Sequence, residues 1–348
     1  MSFSPIQVPD WLAQPAQFDC VIDVRSPAEF ADDHLPGAVN WPVLDDAERA
    51  HVGTVYTQVS TFEARKQGAA LVSRRIADML ERHVADKPKD WRPLVYCWRG
   101  GQRSGSLSLV LAQIGFRTRQ LQGGYKAFRA QVREDLATLP GRFQWQVLRG
   151  RTGSGKTRLL AALADEGAQV LDLEALAAHR GSVLGGLPGV AQPGQKQFEG
   201  QIWQQLQGFD PRRPVFVEAE SRRIGARQLP DSMLAALQAP AGWVELQMDI
   251  PARTELLLDE YRFFTAQPEA LCERLAELNS LRGNATVAHW QALARAGAWA
   301  QLLPELLSQH YDPLYDRQQR RGNAPVHTLT LADGQAAALQ AAARSLLA

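Results

Sequence analysis

The run Gly150-Arg151-Thr152-Gly153-Ser154-Gly155-Lys156-Thr157 fits G-x-x-x-x-G-K-[ST] at every fixed position. It follows an apolar strand pattern at 145–149 and precedes a helical pattern at 158–164, the setting that a phosphate loop requires. The glycines let consecutive backbone N–H groups curl round phosphate oxygens, Lys156 brings charge to a β- or γ-phosphate, and the Thr157 hydroxyl can ligate Mg²⁺. A strand must end and a helix begin at the anion, so the loop commits this half of the chain to an α/β sheet. The metal's water shell needs a carboxylate at the end of a neighbouring strand. Glu218, directly after the apolar run Val215-Phe216-Val217, is the first choice and Glu220 the second, with Asp172 and Glu174 behind them. Arg222 and Arg223 follow, facing phosphate, nucleic acid or solvent. The loop reads a polyphosphate without naming its organic part, so ATP or GTP stays open.

A second constellation lies in the first half. Cys97-Trp98-Arg99-Gly100-Gly101-Gln102-Arg103-Ser104 comes directly after an apolar strand pattern at 93–96 and before an apolar helix pattern at 107–114. Backbone N–H groups in such a loop converge toward a helix N-terminus, which binds anions and favours a thiolate. Gly100 and Gly101 permit the curl, Arg99 and Arg103 add charge, and Arg103 has the fork geometry that clamps a tetrahedral oxyanion. Cys97 is therefore the expected nucleophile. Cys20, in an apolar strand, and Cys272, beside Leu271 and Leu275, read as small buried hydrophobes. The spacing Cys-(five residues)-Arg-Ser also serves cysteine phosphatases, so the loop alone leaves the chemistry open.

Strand, helix and turn alternate through the first 135 or so residues, with further strands expected at 18–24 and near 118–121 and a long helix at 62–82. The segment 136–141 breaks the pattern and reads as a linker; strands at 145–149, 215–217 and 244–248 build the second unit. From Glu269 to the end the pattern is helical, interrupted by Pro304 and by the polar turn at 318–323. Two domains result, 1–138 and 142–348, as a length of 348 residues suggests at roughly 100–200 per domain. Net charge is +1, so no global basic excess advertises nucleic acid, yet the charge is polarised. Residues 1–50 hold two basic and nine acidic side chains, residues 51–140 fifteen and seven. Three cysteines suit a reducing compartment rather than a disulfide scaffold. Neither a leader nor an apolar run of ~18 residues is visible, which predicts a cytoplasmic protein.

The segments Val21-Ile22-Asp23-Val24-Arg25-Ser26-Pro27-Ala28-Glu29-Phe30, His34-Leu35-Pro36-Gly37-Ala38-Val39-Asn40-Trp41-Pro42 and Gly123-Gly124-Tyr125-Lys126-Ala127-Phe128 resemble the rhodanese (sulfurtransferase) domain. That resemblance makes Asp23 and Arg25 framework residues. It also implies a loop one residue longer than usual, wide enough for a phosphate ester or a selenium-bearing phosphate. Together with Val52-Gly53-Thr54-Val55-Tyr56, 62–70, His179-Arg180-Gly181-Ser182 and Glu220-Ser221-Arg222-Arg223-Ile224-Gly225, the whole chain resembles the bacterial tRNA 2-selenouridine synthases. One departure is Ala219, where an acidic residue is expected. The resemblance implies an α/β fold, a rhodanese-like parallel-sheet domain followed by a P-loop domain with a helical C-terminal part. It implies a transferase that replaces sulfur by selenium from selenophosphate at the 2-position of wobble 2-thiouridine, through an S-geranylated intermediate made with geranyl diphosphate. It further implies that Cys97 carries selenium as an S-selanyl group. The phosphate loop is expected to hold the diphosphate of the prenyl donor rather than ATP. The anticodon region of tRNA would meet Arg65, Lys66, Arg74, Arg75, Arg222, Arg223, Arg317, Arg320 and Arg321, with the flipped base stacked on Trp98, and the enzyme making selenophosphate would be a partner. Two rivals stay open: a sulfurtransferase or Cys-dependent phosphatase fused to a kinase-like domain, and a non-catalytic sensor, against which the intact Cys97, Arg103, Lys156 and Thr157 speak.

Overall fold

The computed structural model describes residues 3–182, 184–186, 189–318 and 326–348. The chain divides between Asp135 and Leu136 into two units, each with its own five-stranded sheet. In the first, β1 (Ser4–Ile6), β2 (Cys20–Asp23), β3 (Ala38–Asn40), β4 (Pro93–Tyr96) and β5 (Arg119–Leu121) form the order β1-β5-β4-β2-β3, every pair parallel. Parallel strands need crossovers, and the helices Thr61–Met79 and Gln102–Ile114 supply them by laying Val72, Ile76, Leu107 and Leu111 on Ile22 and Val95. β4 is buried along its whole length, as a central parallel strand must be. Cys97 follows it at its carboxyl end, where the strand order reverses direction.

In the second unit, β6 (Gln144–Gly150), β7 (Gln169–Leu171) and β8 (Pro214–Glu218) come first. A two-residue ladder, β9 (Arg223–Ile224) with β10 (Arg227–Gln228), stands apart, and β11 (Gly242–Gln247) and β12 (Val326–Thr330) complete the sheet β12-β11-β6-β8-β7, again parallel throughout. β6 is central, so its loop lies at the switch point of this sheet. The helix Lys156–Asp165 packs Leu159, Leu160 and Leu163 with Leu148, Phe216 and Leu246. A separate helical cluster around Leu275, Trp290 and Leu302 forms the rest.

Three expectations are corrected. The segment 136–141 is ordered: the helix Gly124–Thr138 runs into the turn Leu139–Arg142, where Leu136 and Leu139 are buried and Trp145 Nε1 donates to Pro140 O at 2.8 Å. Pro304 does not interrupt its helix; it sits inside Trp299–Leu306, which widens into the π-turn Leu307–Tyr311. The C-terminal region is not wholly helical, because β12 adds an edge strand beside β11. The helices there also begin earlier than Glu269, at Ile250.

Candidate functional site

In the first unit, Cys97 is 4% exposed, and its Sγ accepts the Gly101 N–H at 3.3 Å and the Ser104 hydroxyl at 3.2 Å. The carbonyls of the loop are tied away: Tyr125 N–H donates to Cys97 O and Lys126 N–H to Trp98 O, each at 2.9 Å. Gly124 makes this possible, for at φ +55 a Cβ would run into Cys97 O and lie 2.6 Å from Gly100 N. Gln120, buried and easily passed over in the sequence, donates to Ser104 Oγ at 2.7 Å, Gly100 O at 3.0 Å and Gly101 O at 3.1 Å. An N–H, a hydroxyl and a helix N-terminus around a thiol are the groups that would favour its thiolate form and an anion beside it.

The arginines differ from expectation in one respect. Arg103 Nη1 donates to Glu29 Oε2 at 2.7 Å, so this fork is already paired. Burial alone would raise the Glu29 carboxyl, yet bound Arg103 brings it below the ordinary range. Arg99 is exposed and makes no ion pair among the described residues. Asp23 and Arg25 are framework, as read: Arg25 is 1% exposed, bound to Asp23 and to Asp33 O, with its guanidinium 4.1 Å from the Tyr125 ring centre. Trp98 is half-buried, 5.3 Å from that same ring.

In the second unit the phosphate loop joins β6 to the helix Lys156–Asp165 and borders a cavity of about 930 Å³. Gly153, at φ +78, passes so close to the helix Ile250–Glu260 that a Cβ would lie 2.9 Å from Leu257 Cγ. Arg253, 1% exposed, fixes the loop from behind: its Nε donates to Thr152 O at 2.8 Å while its two Nη atoms bind Asp312 at 2.9 and 2.6 Å. Lys156 Nζ donates to Gly150 O at 2.8 Å, and burial holds its ammonium below the usual value despite the carboxylates around it.

Those carboxylates are Glu174, Glu220 and Glu218. The Thr157 hydroxyl meets Glu174, donating to Oε2 at 3.4 Å. Glu218 is 1% exposed and accepts the Glu174 N–H on Oε1 at 2.8 Å, which fixes the start of the helix Leu173–Ala177. Its Oε2 has no partner among the described residues, and burial with Asp172 nearby drives its pKa well up. Glu220 is pushed up to about 8 by burial and then by Glu174 beside it. No group of three or more His, Cys, Asp or Glu among the described residues is arranged to hold a metal ion. Thr157 and Glu174, with the orphaned Glu218 oxygen behind them, do fit Mg²⁺, which takes one or two protein oxygens plus phosphate and water. The cavity also has residues that the sequence reading did not place: Arg180, which pairs with Glu260 at 3.0 Å and lies over the Tyr261 ring, and the buried His310, lowered to about 4 by burial and Arg282. Nothing in their spacing along the chain points to the loop; only folding brings them there.

The expected tRNA contacts fare unevenly. Arg75 pairs with Asp45 and Glu48, Lys66 with Glu63, and Arg222 with Asp231. Arg65, Arg74, Arg223 and Arg317 are exposed, and Arg320 and Arg321 lie outside the described residues.

The model of the tRNA 2-selenouridine synthase AAA domain matches residues 143–273, and the rhodanese-like domain model matches 8–131. A tRNA 2-selenouridine synthase of Cupriavidus necator is 34% identical over 340 residues, 88% of this chain and 90% of the relative. The chain belongs to the tRNA 2-selenouridine synthase family. The synthase of Nitrosomonas europaea is 37% identical over 69% of this chain and 63% of its own length. Among solved structures, a rhodanese-related protein of Thermoplasma volcanium is 17% identical over 37% of this chain and 93% of that chain, at a TM-score of 0.25, too slight a likeness to add to the fold. The two family models thus place a rhodanese-like domain and a tRNA 2-selenouridine synthase AAA domain in one chain. No helix among the described residues is long and apolar enough to cross a membrane.

Proposed function

We propose that this chain is a cytoplasmic tRNA-modifying transferase that exchanges sulfur for selenium at the 2-position of wobble 2-thiouridine. The observation that carries it is the pairing of two anion cradles of different chemistry in a family whose curated relatives bear that name: one built around a nucleophile, Cys97, the other around Lys156 and Thr157. In the second cradle the sulfur of thiouridine attacks the first carbon of geranyl diphosphate, the C–O bond breaks, and diphosphate leaves with the electron pair. Lys156 and the loop N–H groups stabilise that leaving group, and Thr157 with Glu174 would hold Mg²⁺, which supplies further charge there. S-alkylation makes the sulfur a thiol leaving group.

In the first cradle selenophosphate is opened. Attack of the Cys97 thiolate on phosphorus forms S–P, breaks P–Se and releases hydroselenide; water then cleaves S–P to orthophosphate. Hydroselenide adds at C2 of the alkylated base and geranylthiol departs, with no change of oxidation state. Direct capture of selenium as a Cys97 selanyl group would leave the bonding pair on phosphorus, as phosphite. The phosphorus product therefore distinguishes the two routes by nuclear magnetic resonance. Selenophosphate is readily oxidised, which favours delivery from the enzyme that makes it. The exposed Arg65, Arg74, Arg223 and Arg317 are the remaining described candidates for tRNA phosphates.

The decisive test supplies 2-thiouridine tRNA, geranyl diphosphate and selenophosphate, and weighs the digested nucleosides. Wild type is expected to give selenouridine, Cys97→Ala the geranylated nucleoside alone, and Lys156→Ala neither. Unchanged RNA with wild type would overturn the assignment. Geranylation retained by Lys156→Ala while ATP binding disappears would return the phosphate loop to a nucleotide.

A further inference from the structure

The cavity at the phosphate loop has a neighbour of opposite character. A second pocket, lined almost wholly by carbon, shares Thr152, Ser182, Leu257, Tyr261 and Tyr311 with the first as common walls. Its own walls are Phe264, Leu271, Trp299, Leu303 and Leu306, from the helical cluster of the second unit. We infer that this pocket seats the hydrocarbon chain of the diphosphate donor, and that Leu303 and Trp299 limit the length of chain transferred. The inference rests on the reading that the phosphate loop holds a prenyl diphosphate.

Three observations carry it. Thr152 belongs to the phosphate loop and lines both pockets, so a ligand whose head lies on the loop N–H groups finds the apolar pocket within one residue of them. The walls beyond the shared edge offer almost no polar atom, and at that edge the Arg180 guanidinium lies 4.7 Å from the Tyr261 ring centre. A nucleoside there would bury its own donors and acceptors without partners, whereas a hydrocarbon loses nothing. The pocket is also small. Its volume of about 60 Å³ admits roughly four to six water-sized groups, fewer than the ten carbons of a geranyl chain, so it takes the far end of that chain and stops a longer one. Leu303 and Trp299 are partly buried rather than locked in the core, so changes there alter the pocket without removing a central side chain.

The test compares wild type, Leu303→Ala and Leu303→Trp with dimethylallyl, geranyl and farnesyl diphosphates on 2-thiouridine tRNA, using inorganic diphosphate as the headgroup probe. Leu303→Ala is expected to raise kcat/KM for farnesyl relative to geranyl about tenfold or more. Leu303→Trp is expected to weaken geranyl diphosphate about tenfold or more while inorganic diphosphate binds as before. Leu303→Phe replaces it if circular dichroism shows that the larger ring prevents folding. Chain-length ratios unchanged in both classes of variant, in an enzyme that still transfers geranyl, would overturn the tail pocket and leave the loop reading standing. Geranyl diphosphate binding unaffected by Lys156→Ala would overturn the loop reading, and the tail pocket with it.

Discussion

Gln120 shows how much of a reactive loop is decided by one residue outside it. Its amide donates to three acceptors of the cysteine loop, all from a β5 position that reads as ordinary strand. Gln120→Ala is expected to cost about 1–3 kcal/mol in urea unfolding, because buried carbonyls lose their donor, and to alter the rate at which iodoacetamide alkylates Cys97. Unchanged values of both would show that the loop holds itself. At the other site burial, and then Glu174 beside it, pushes Glu220 up to about 8, against an ordinary glutamate value of about 4.3. A carboxyl raised on folding means that the folded state binds the extra proton, so stability is lost as pH rises between these values. Glu220→Gln, which mimics the protonated acid, is expected to melt with wild type near pH 5 and at higher temperature than wild type at pH 8 to 9. The crossover is read by calorimetry across that range, and parallel melting curves at every pH would contradict it.

At the scale of elements, the phosphate loop is held by the helix Ile250–Glu260 rather than by its own sequence. Arg253 reaches from that helix to Thr152 O and is neutralised by Asp312, the first residue of the helix Asp312–Gln318. Breaking a buried pair from one side leaves an uncompensated charge, so Asp312→Ala is expected to destabilise the second unit by about 3–5 kcal/mol. Arg253→Met together with Asp312→Leu should recover part of that loss yet still bind inorganic diphosphate more weakly, since Thr152 O loses its donor. Recovery of full diphosphate affinity in the double variant would remove Arg253 from any positioning role. The π-turn after Pro304 belongs to the same scale: its last two residues, His310 and Tyr311, line the cavity.

At the scale of the whole molecule, each unit closes its own core, Ile22 and Val95 in one, Leu148 and Phe216 in the other. Inorganic diphosphate is therefore expected to shift only the unfolding of the second unit. At a hundredfold excess over Kd the gain is about 2.7 kcal/mol, visible by calorimetry or by tryptophan variants confined to one unit. A shift of both units alike would mean that they unfold together. Affinity for tRNA is expected to fall steeply between low and physiological salt, with a shallower slope in an Arg65→Ala, Arg74→Ala double variant. A flat response would exclude phosphate-tracking contacts.

The phosphate loop, the cysteine loop and the alternation of strands and helices were legible in the sequence because each is local: a glycine at a required φ, a lysine at a fixed offset, an apolar run long enough to be buried on both faces. The choice of Glu218 followed the same local logic; that Glu174 is the carboxylate meeting the Thr157 hydroxyl was not legible, because it depends on how β7 and β8 are paired rather than on which residue follows an apolar run. Pro304 and the segment 136–141 misled for a similar reason, since local breakers yield when the side chains around them are buried. Arg253, Gln120 and the apolar pocket had no sequence signal, and Arg180 stood in the run His179-Arg180-Gly181-Ser182 with nothing to say what it meets. Gln120 reaches across a crossover to a loop 16 to 20 residues back, while Arg180 and Arg253 find partners 59 to 101 residues away. Pairings of that kind are set by the crossing of strands and helices, which only the tertiary structure decides.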